Sequence, residues 1–285
     1  MPKTTPRPST WVADDRLRPP IKIHGGKHYL ARRILATFTD HTTYVEAFGG
    51  GLSVFLNKRS CRTGTAVLHD SNPDLFNLYC ALKYMPQRLM EAVQSIEYTQ
   101  SVFQSACLEG TRKSSDIVTR AVGTIVRSRF SRGGMGKDFA WSDRLRGGKP
   151  GDVNSWETYK ALLPKIAGRF TEKVFVRDPT NGWTVMEEED SETTLHYADP
   201  PYLHQTRTAR KVYEYEMSEE DHLRFLATCN GLKGKVYISG YRSEMYDDLL
   251  PETRWERVEF DMPNHSGQGE KKQRRVECLW ISKRK

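Results

Sequence analysis

The chain has 285 residues, of which 37% are hydrophobic, enough for one substantial core or for one core with a smaller appended domain. Its formal net charge of +8 and isoelectric point near 9.2 favour a polyanionic partner. No apolar run approaches the roughly 18 residues that span a bilayer, and the first ten residues lack the apolar centre of a signal peptide. We therefore expect a cytoplasmic protein with no membrane partner and with a disordered tail over residues 1–18.

The cysteines are scattered and form no C-x-x-C pair, which argues against both a zinc site and a disulfide framework. They are Cys61, Cys80, Cys107, Cys229 and Cys278. We expect a reduced protein that uses no metal.

The sequence from residue 44 to about residue 82 predicts a parallel sheet. A strand over residues 44–48 precedes three glycines at 49–51 and a helix over 52–57, and a second strand over 65–69 ends at Asp70. A helix through Leu75, Leu78 and Leu82 follows. Strand, helix and strand with short links indicate a doubly wound α/β fold, in which ligands bind at the carboxyl ends of the strands.

The alternation of strands and helices stops at about residue 84. Helix-like segments then surround one long loop, which is predicted over 127–152 and is rich in glycine, arginine and lysine. A strand returns at 173–176. The acidic run at 187–190 is interpreted as a solvated loop.

The last third predicts more strands and helices. A short strand at 195–198 precedes Asp199, a helix capped by Ser218 runs to Asn230, and a strand at 235–239 precedes a helix to Leu250. Strands at 258–261 and 277–281 are predicted to pair as a hairpin around residues 264–275.

The loop Asp199-Pro200-Pro201-Tyr202 is suited to hold a planar amine. The prolines remove two backbone donors, so that the Pro200 carbonyl and the Asp199 carboxylate can accept hydrogen bonds, and Tyr202 offers a ring face. The alternative is a simple proline turn that closes a strand. Glycines after the first strand and an acid after the second favour a nucleoside-containing cofactor at the same edge, because such a carboxylate can bind ribose hydroxyls.

These motifs, in this order, resemble the Dam-like, D12 class adenine-N6 DNA methyltransferases, and the resemblance covers about residues 21–282. The matching stretches are Lys22 to Lys27, Glu46 to Gly51, Leu68 to Leu75, and Asp199 to Tyr202. The resemblance implies a Rossmann-like α/β methyltransferase sheet, with a catalytic domain over 19–83 and 169–285. It also implies an inserted, mostly helical and loop-rich target-recognition domain over 84–168.

The resemblance further implies S-adenosylmethionine as cofactor, with Lys27 closing over its methionine part, Glu46 and Phe48 lining its pocket and Asp70 on its ribose. The full set of implied cofactor residues is Ile23, Lys27, Glu46, Phe48, Gly50, Asp70 and Asp199. The sequence departs from the family at two positions: Ile23 stands where many members have tryptophan, and Leu52 where the glycine loop often continues.

In this interpretation Asp199, Pro200 and Tyr202 are catalytic, and the target adenine is flipped out of double-stranded DNA onto Tyr202. The predicted DNA contacts are Arg127, Arg129, Arg132, Lys137, Arg144, Arg146 and Lys149, interleaved with Phe130, Phe139 and Trp141. We expect a monomer when free and a role in DNA methylation of the restriction–modification kind.

Two alternatives remain open: an N4-cytosine DNA methyltransferase, and a DNA-binding protein of the same fold with weak or no catalysis. A P-loop nucleotidase is disfavoured, because His28 rather than serine or threonine follows Gly25-Gly26-Lys27. His196 and His204, which flank the proline loop, are interpreted as structural or phosphate-contacting.

Overall fold

A computed structural model of the protein describes residues 11–23, 25–59, 64–203, 215–263 and 274–284. The chain divides into two compact units. The first comprises residues 1–38, 50–60 and 72–179, and the second comprises residues 39–49, 61–71 and 180–285. The predicted domain boundaries at 19–83, 84–168 and 169–285 remain a prediction.

Helices and strands are numbered here in chain order. The first unit contains α1 (Ala31–Leu35), α2 (Ser53–Asn57), α3 (Pro73–Tyr84), α4 (Pro86–Gln94), α5 (Gln100–Cys107), α6 (Glu109–Arg112), α7 (Ile117–Arg129), β3 (Leu145–Arg146), β4 (Lys149–Pro150), α8 (Gly151–Ala167) and β5 (Val174–Val176). The second contains β1 (Thr43–Glu46), β2 (Thr65–Leu68), α9 (Gly182–Glu188), β6 (Thr194–Ala198), α10 (Glu219–Gly231), β7 (Lys235–Gly240), α11 (Glu244–Leu249), β8 (Trp255–Pro263) and β9 (Arg274–Ser282).

A seven-stranded, mainly parallel sheet has the order β5-β2-β1-β6-β7-β9-β8. Strand β1 pairs in parallel with β2 and β6, and β6 pairs in parallel with β7. The last two strands form the predicted antiparallel hairpin, with β9 inserted between β7 and β8. The predicted α/β fold is therefore confirmed. The tip of this hairpin, residues 264–273, lies outside the described residues.

Buried strands hold the core of the second unit. Every residue of β6 is buried, and β7 is buried from Val236 onward, as expected for parallel strands covered on both faces. Helix α10 covers this core with Phe225 and Leu226, both fully buried. Its start is fixed by a capping box, in which Ser218 accepts from the Asp221 backbone and Asp221 bonds back. The predicted cap is confirmed.

Helix α3 begins after an N-capping residue, Asn72. The Asn72 side chain accepts a hydrogen bond from the Asp74 backbone at 2.8 Å, and Pro73 occupies the first turn. Asp74 then accepts from Arg120 at 2.8 Å and from Arg127 at 2.7 Å, which ties α3 to α7. Both arginines and the aspartate are largely buried, so these pairs have a structural role.

The tail predicted over residues 1–18 stays a prediction, because residues 1–10 lie outside the described residues. Within 11–18, Leu17 is buried and its backbone N–H donates to Asn57 at 3.1 Å, whereas Arg16 and Arg18 are exposed. Two other expectations about irregular segments are wrong. The predicted loop at 127–152 is shorter, because α7 runs to Arg129 and α8 begins at Gly151. The acidic run is not a solvated loop, because it ends α9 and Asp190 accepts from the backbone of Lys233 and Gly234.

None of the helices in the described ranges has the length and apolar character needed to cross a membrane. Within the same ranges, no group of three or more histidine, cysteine, aspartate and glutamate side chains is placed to hold a metal ion.

Candidate active site

The candidate site lies at the carboxyl ends of the parallel strands in the second unit. Glu46, the last residue of β1, is in register with Leu68 of β2 and with Tyr197 of β6. Because parallel strands end at one edge of the sheet, Asp70 and Asp199 follow at this edge, together with Tyr241 after β7. The structure thus brings together the predicted residues of three strand ends.

The proline loop leaves β6 with Asp199 half-buried and Pro200 buried. Tyr202 is only 6% exposed, and its hydroxyl donates to Oε2 of Glu277 on β9 at 2.7 Å. Its ring meets that of Tyr241 edge to face, with centroids 4.7 Å apart. Stacking of a base on Tyr202 would therefore require part of this covered surface to open.

Glu277 and Tyr241 were missed by the sequence analysis. The signal for Tyr241 was available, since it follows β7 at the same sheet edge as Asp199. Glu277 carries no such signal, because it lies within an antiparallel strand far along the chain from Tyr202.

The edge is rich in negative charge. Burial raises the pKa of the Tyr197 phenol well above its ordinary value, and the carboxylates of Asp199, Glu46 and Glu277 raise it further. Glu46 is itself only 2% exposed and accepts a hydrogen bond from the Tyr44 hydroxyl at 2.6 Å. Three carboxylates around one buried phenol favour ligands that carry N–H donors or positive charge.

A buried histidine holds the loop that carries Asp70. Thr180 donates its backbone N–H to Nε2 of His69 at 3.2 Å, so the proton of the neutral ring is on Nδ1, which donates to the Ala47 carbonyl at 2.6 Å. Ser71 donates its hydroxyl to the Thr180 carbonyl at 2.8 Å. The residues on both sides of Asp70 thus bond the backbone of the same residue, Thr180, and Asp70 stays partly exposed between them.

Phe48, predicted to line the cofactor pocket, is half-buried and packs edge to face on Phe225. Gly182, at the start of α9, lies against it: a Cβ on this glycine would lie 2.7 Å from the Phe48 ring and 2.9 Å from the Ala47 carbonyl. Only glycine fits this close approach.

The predicted cofactor residues Ile23, Lys27 and Gly50 belong to the first unit, whereas Glu46, Phe48, Asp70 and Asp199 belong to the second. Lys27 is 5% exposed and donates to the Gly25 carbonyl at 3.0 Å. Gly50 has a φ of 52°, a Cβ on it would touch Ile23 at 3.4 Å, and its carbonyl accepts from the Tyr79 hydroxyl at 2.7 Å.

Leu52 adopts the left-handed conformation, with a φ of 56° and no exposed surface. It is the position where the resembling family often has a further glycine. Among the described residues it is also the single non-glycine residue with positive φ. The chain therefore keeps a glycine-type backbone at this turn with a leucine side chain in the core.

The structure corrects the expectation for two of the predicted DNA contacts. Arg127 donates to Asp74 and to the Ala106 carbonyl. Arg129 donates to the carbonyls of Pro19 and Pro20 and lies over the Tyr159 ring. Both guanidinium groups have internal partners, so each has a structural role.

The other five predicted contacts, Arg132, Lys137, Arg144, Arg146 and Lys149, are all exposed. Arg146 and Lys149 lie in the β3–β4 hairpin, and Arg144 directly precedes it. Gly147 and Gly148 form the turn of this hairpin, with φ values of 60° and 79°. Phe130 and Phe139 form an aromatic cluster with Tyr98, whereas Trp141 is 48% exposed.

His196 has a structural role, which is one of the two alternatives that the sequence left open for it. Its Nε2 lies 3.2 Å from Oδ1 of Asp190. Burial opposes the charge on Asp190, but its hydrogen bonds from His196, Lys233 and Gly234 outweigh it and lower its pKa to about 2. His204 lies outside the described residues.

Numbered among themselves in chain order, the seven strands of the sheet have the order 3-2-1-4-5-7-6. With a glycine turn after its first strand and acids after its second and fourth, this is a Rossmann-like α/β sheet, in which ligands bind at the carboxyl ends of the parallel strands. Residues 24–106 match the family model described as D12 class N6 adenine-specific DNA methyltransferase. The match covers less than half of the chain.

Among solved structures, the chain is similar to a SAM-dependent methyltransferase from Agrobacterium tumefaciens, with 10% identity and a TM-score of 0.35 over 89% of this chain and 59% of that one. It is also similar to the rRNA methyltransferase AviRa from Streptomyces viridochromogenes, with 12% identity and a TM-score of 0.37 over 88% of this chain and 84% of that one. The chain thus spans less than two thirds of the first of these proteins. No curated protein sequence matches it.

Proposed function

We propose that the protein is a DNA methyltransferase that transfers a methyl group to N6 of adenine. The observation that carries the proposal is the Asp199-Pro200-Pro201-Tyr202 loop at the end of β6, beside the buried carboxylate of Glu46. The match of residues 24–106 to the D12 class supports it.

The residues at the sheet edge fit S-adenosylmethionine. The partly exposed carboxylate of Asp70 suits ribose hydroxyls, and the negative charge of Glu46 suits the cationic end of the cofactor. Gly182 lets the Phe48 ring approach the backbone of α9 closely, next to the carboxyl end of β1. When bound, S-adenosylmethionine supplies an electrophilic methyl group.

Asp199 and the Pro200 carbonyl then act on the adenine amine. The N6 lone pair is delocalised into the ring, so the amine is a poor nucleophile. Two acceptors that hold its N–H groups out of the ring plane localise the lone pair on nitrogen and orient it for in-line attack. Asp199 need not be a strong base, because the nitrogen becomes acidic only as its new bond forms.

The DNA side of the proposal rests on the five exposed cations between residues 132 and 149. Lysines that contact phosphates would set affinity and its salt dependence. An arginine that reads a guanine edge would contribute roughly 1 to 3 kcal/mol of discrimination. The exposed hairpin with its two-glycine turn is narrow enough to enter a groove.

The test is incubation with methyl-labelled S-adenosylmethionine and unmethylated genomic DNA, followed by nucleoside analysis. We expect N6-methyl-2′-deoxyadenosine from the unaltered protein and none from Asp199→Ala. The exposed Asp248, on α11 of the same unit, provides the matched control Asp248→Ala, which should retain activity. Recovery of N4-methyl-2′-deoxycytidine alone would replace adenine by cytosine as the target. Cofactor binding without any transfer would favour the non-catalytic alternative.

A further inference from the structure

A second group of cations lies outside the loop to which the DNA contacts were assigned. Arg16, Arg18 and Arg32 are all exposed, and within the described ranges none of them forms an ion pair. The two acids that precede them in sequence bond other cations: Asp14 pairs with Arg59 at 3.1 Å, and Asp15 pairs with Lys165 at 3.6 Å. We call Arg16, Arg18, Arg32 and His28 the N-terminal basic surface.

The members of this surface are close to one another within the first unit. Arg16 donates to the His28 carbonyl at 3.3 Å, and Arg32 donates to the Ala13 carbonyl at 2.9 Å. Burial lowers the pKa of the His28 imidazole, and the charges of Arg16 and Arg18 lower it further. Three arginines and a histidine therefore share one region of the surface.

His28 itself has an unused polar atom. Its Nδ1 is buried and has no hydrogen-bond partner among the described residues. The neighbouring Tyr29 is 66% exposed, with its ring 5.6 Å from that of His28. Protein surfaces that bind nucleic acids combine exposed aromatic side chains with arginines in this way.

Among the described residues no carboxylate pairs with the three exposed guanidinium groups, and these like charges repel one another. A partner that brings phosphates removes the repulsion and releases the counterions that the phosphates had held. The arginine side chains suit such a partner because each guanidinium can bind a phosphate through two parallel hydrogen bonds.

We propose that the N-terminal basic surface binds phosphates of the DNA duplex, as a second contact in addition to the exposed cations at 132–149. This inference rests on the proposed function, since it takes DNA as the partner. It assigns Arg16, Arg18 and Arg32 to affinity and not to the choice of recognition sequence.

The test compares two double variants that remove the same charge from the same unit. Arg16→Ala/Arg18→Ala removes two unpaired cations. Arg88→Ala/Lys113→Ala removes two that already bond Asp116 and Glu109, and serves as the matched control. Binding of a labelled duplex of about 30 base pairs is followed by fluorescence anisotropy between about 50 and 200 mM salt.

The plot of log affinity against log salt has a negative slope, and we expect Arg16→Ala/Arg18→Ala to make it shallower by about 1.8, at about 0.9 per phosphate. The affinity itself should fall by about tenfold. The control should keep the slope of the unaltered protein, and both variants should keep its melting temperature. An unchanged slope in Arg16→Ala/Arg18→Ala, or an equal fall in the control, would overturn the proposal.

Methyl transfer is measured on the same variants at low salt over a range of DNA concentrations. Arg88→Ala/Lys113→Ala should match the unaltered protein, whereas Arg16→Ala/Arg18→Ala should need more DNA to reach half of its maximal rate, because the N-terminal basic surface contributes to binding. A protein that binds DNA with the expected slopes but transfers no methyl group would contradict the proposed function and leave the phosphate contact standing. Failure of the unaltered protein to bind any duplex would overturn both.

Discussion

The hydroxyl of Tyr202 donates to the carboxylate of Glu277, 75 positions away in sequence, at 2.7 Å, and both side chains are buried. The aromatic residue of the proline loop is thereby fixed to β9, the strand that pairs with β7. The position of the ring depends on a residue that the proline loop itself does not contain.

If Glu277 positions Tyr202, removal of either polar group should loosen the same ring. A hydrogen bond to a charged acceptor contributes about 1.5–3 kcal/mol, so we expect Tyr202→Phe and Glu277→Gln each to lower kcat/KM for DNA by about tenfold. The double variant should be no worse than the worse single variant. Steady-state methylation assays on the three variants measure this coupling.

Tyr237→Phe is the control, because it removes a buried tyrosine hydroxyl of the same unit that bonds the Thr39 backbone at 3.2 Å. Its kcat/KM should remain close to that of the unaltered protein. Strictly additive losses in Tyr202→Phe and Glu277→Gln would mean that the two residues act separately.

Asp70→Ala should weaken binding of S-adenosylmethionine by about 10- to 100-fold while the protein stays folded, because hydrogen bonds from ribose hydroxyls to a carboxylate are lost. Calorimetric titration measures the dissociation constant. Asp40→Ala, which removes an exposed acid near the start of β1, should leave it unchanged. Equal constants in all three proteins would place the ribose elsewhere.

Gly182→Ala should destabilise the protein by about 1–3 kcal/mol, since the new methyl group meets Phe48 and the Ala47 carbonyl below contact distance. Gly231→Ala, at the end of α10 in the same unit, meets no atom within 4 Å and should be neutral or slightly stabilising. Urea unfolding of both variants makes the comparison. A neutral Gly182→Ala would show that α9 can shift without cost.

At Leu52 the usual ranking of alanine above glycine should reverse. Both substitutions lose a buried side chain, at about 2–5 kcal/mol, but alanine keeps the cost of the left-handed backbone and glycine does not. We expect Leu52→Gly to be more stable than Leu52→Ala by about 1 kcal/mol in urea unfolding. The same pair at Leu56, inside α2 and equally buried, should follow the ordinary order.

His196 should make stability fall as the solution becomes acidic. Burial lowers the pKa of its imidazole, Asp190 offsets this only in part, and Arg284 lowers it further. Below the ordinary value of 6.5 the unfolded chain therefore binds a proton that the folded chain does not, which destabilises the fold by up to about 1.4 kcal/mol per pH unit.

Urea unfolding of the unaltered protein and of His196→Gln between about pH 8 and 5 tests this dependence. The variant is expected to be less stable at pH 8 but to lose less stability on acidification. Parallel curves for the two proteins would assign the acid sensitivity to other groups.

Local patterns predicted most of the secondary structure. The alternation and length of the apolar runs located β1, β2, β6 and β7, and Ser218 with its acidic first turn located α10, because these signals depend on neighbours in sequence. The same locality explains the errors. A run of four acids is typical of a solvated loop, and only the distant backbone of Lys233 and Gly234 gives Asp190 its internal partners.

In the candidate site, too, partners that are distant in sequence could not be predicted. Acids and prolines at strand ends could be assigned to one edge, because parallel strands share their direction. The roles of Arg127 and Arg129 could not, since their partners lie more than 50 positions away at Asp74 and more than 100 at Pro19 and Pro20. Basic residues next to glycines look alike in sequence whether they bind DNA or fix a helix.

His69 and Asp70 are neighbours in the chain with opposite tolerance to change. The His69 ring donates one hydrogen bond to the Ala47 carbonyl and accepts one from the Thr180 N–H, and no other side chain offers a ring that does both. Most replacements at position 69 would therefore leave buried backbone groups unsatisfied and prevent folding. Asp70 is partly exposed, and its replacements should fold but lose the cofactor. In a saturation library scored separately for cellular abundance and for methylation, position 69 should fail the first score and position 70 only the second.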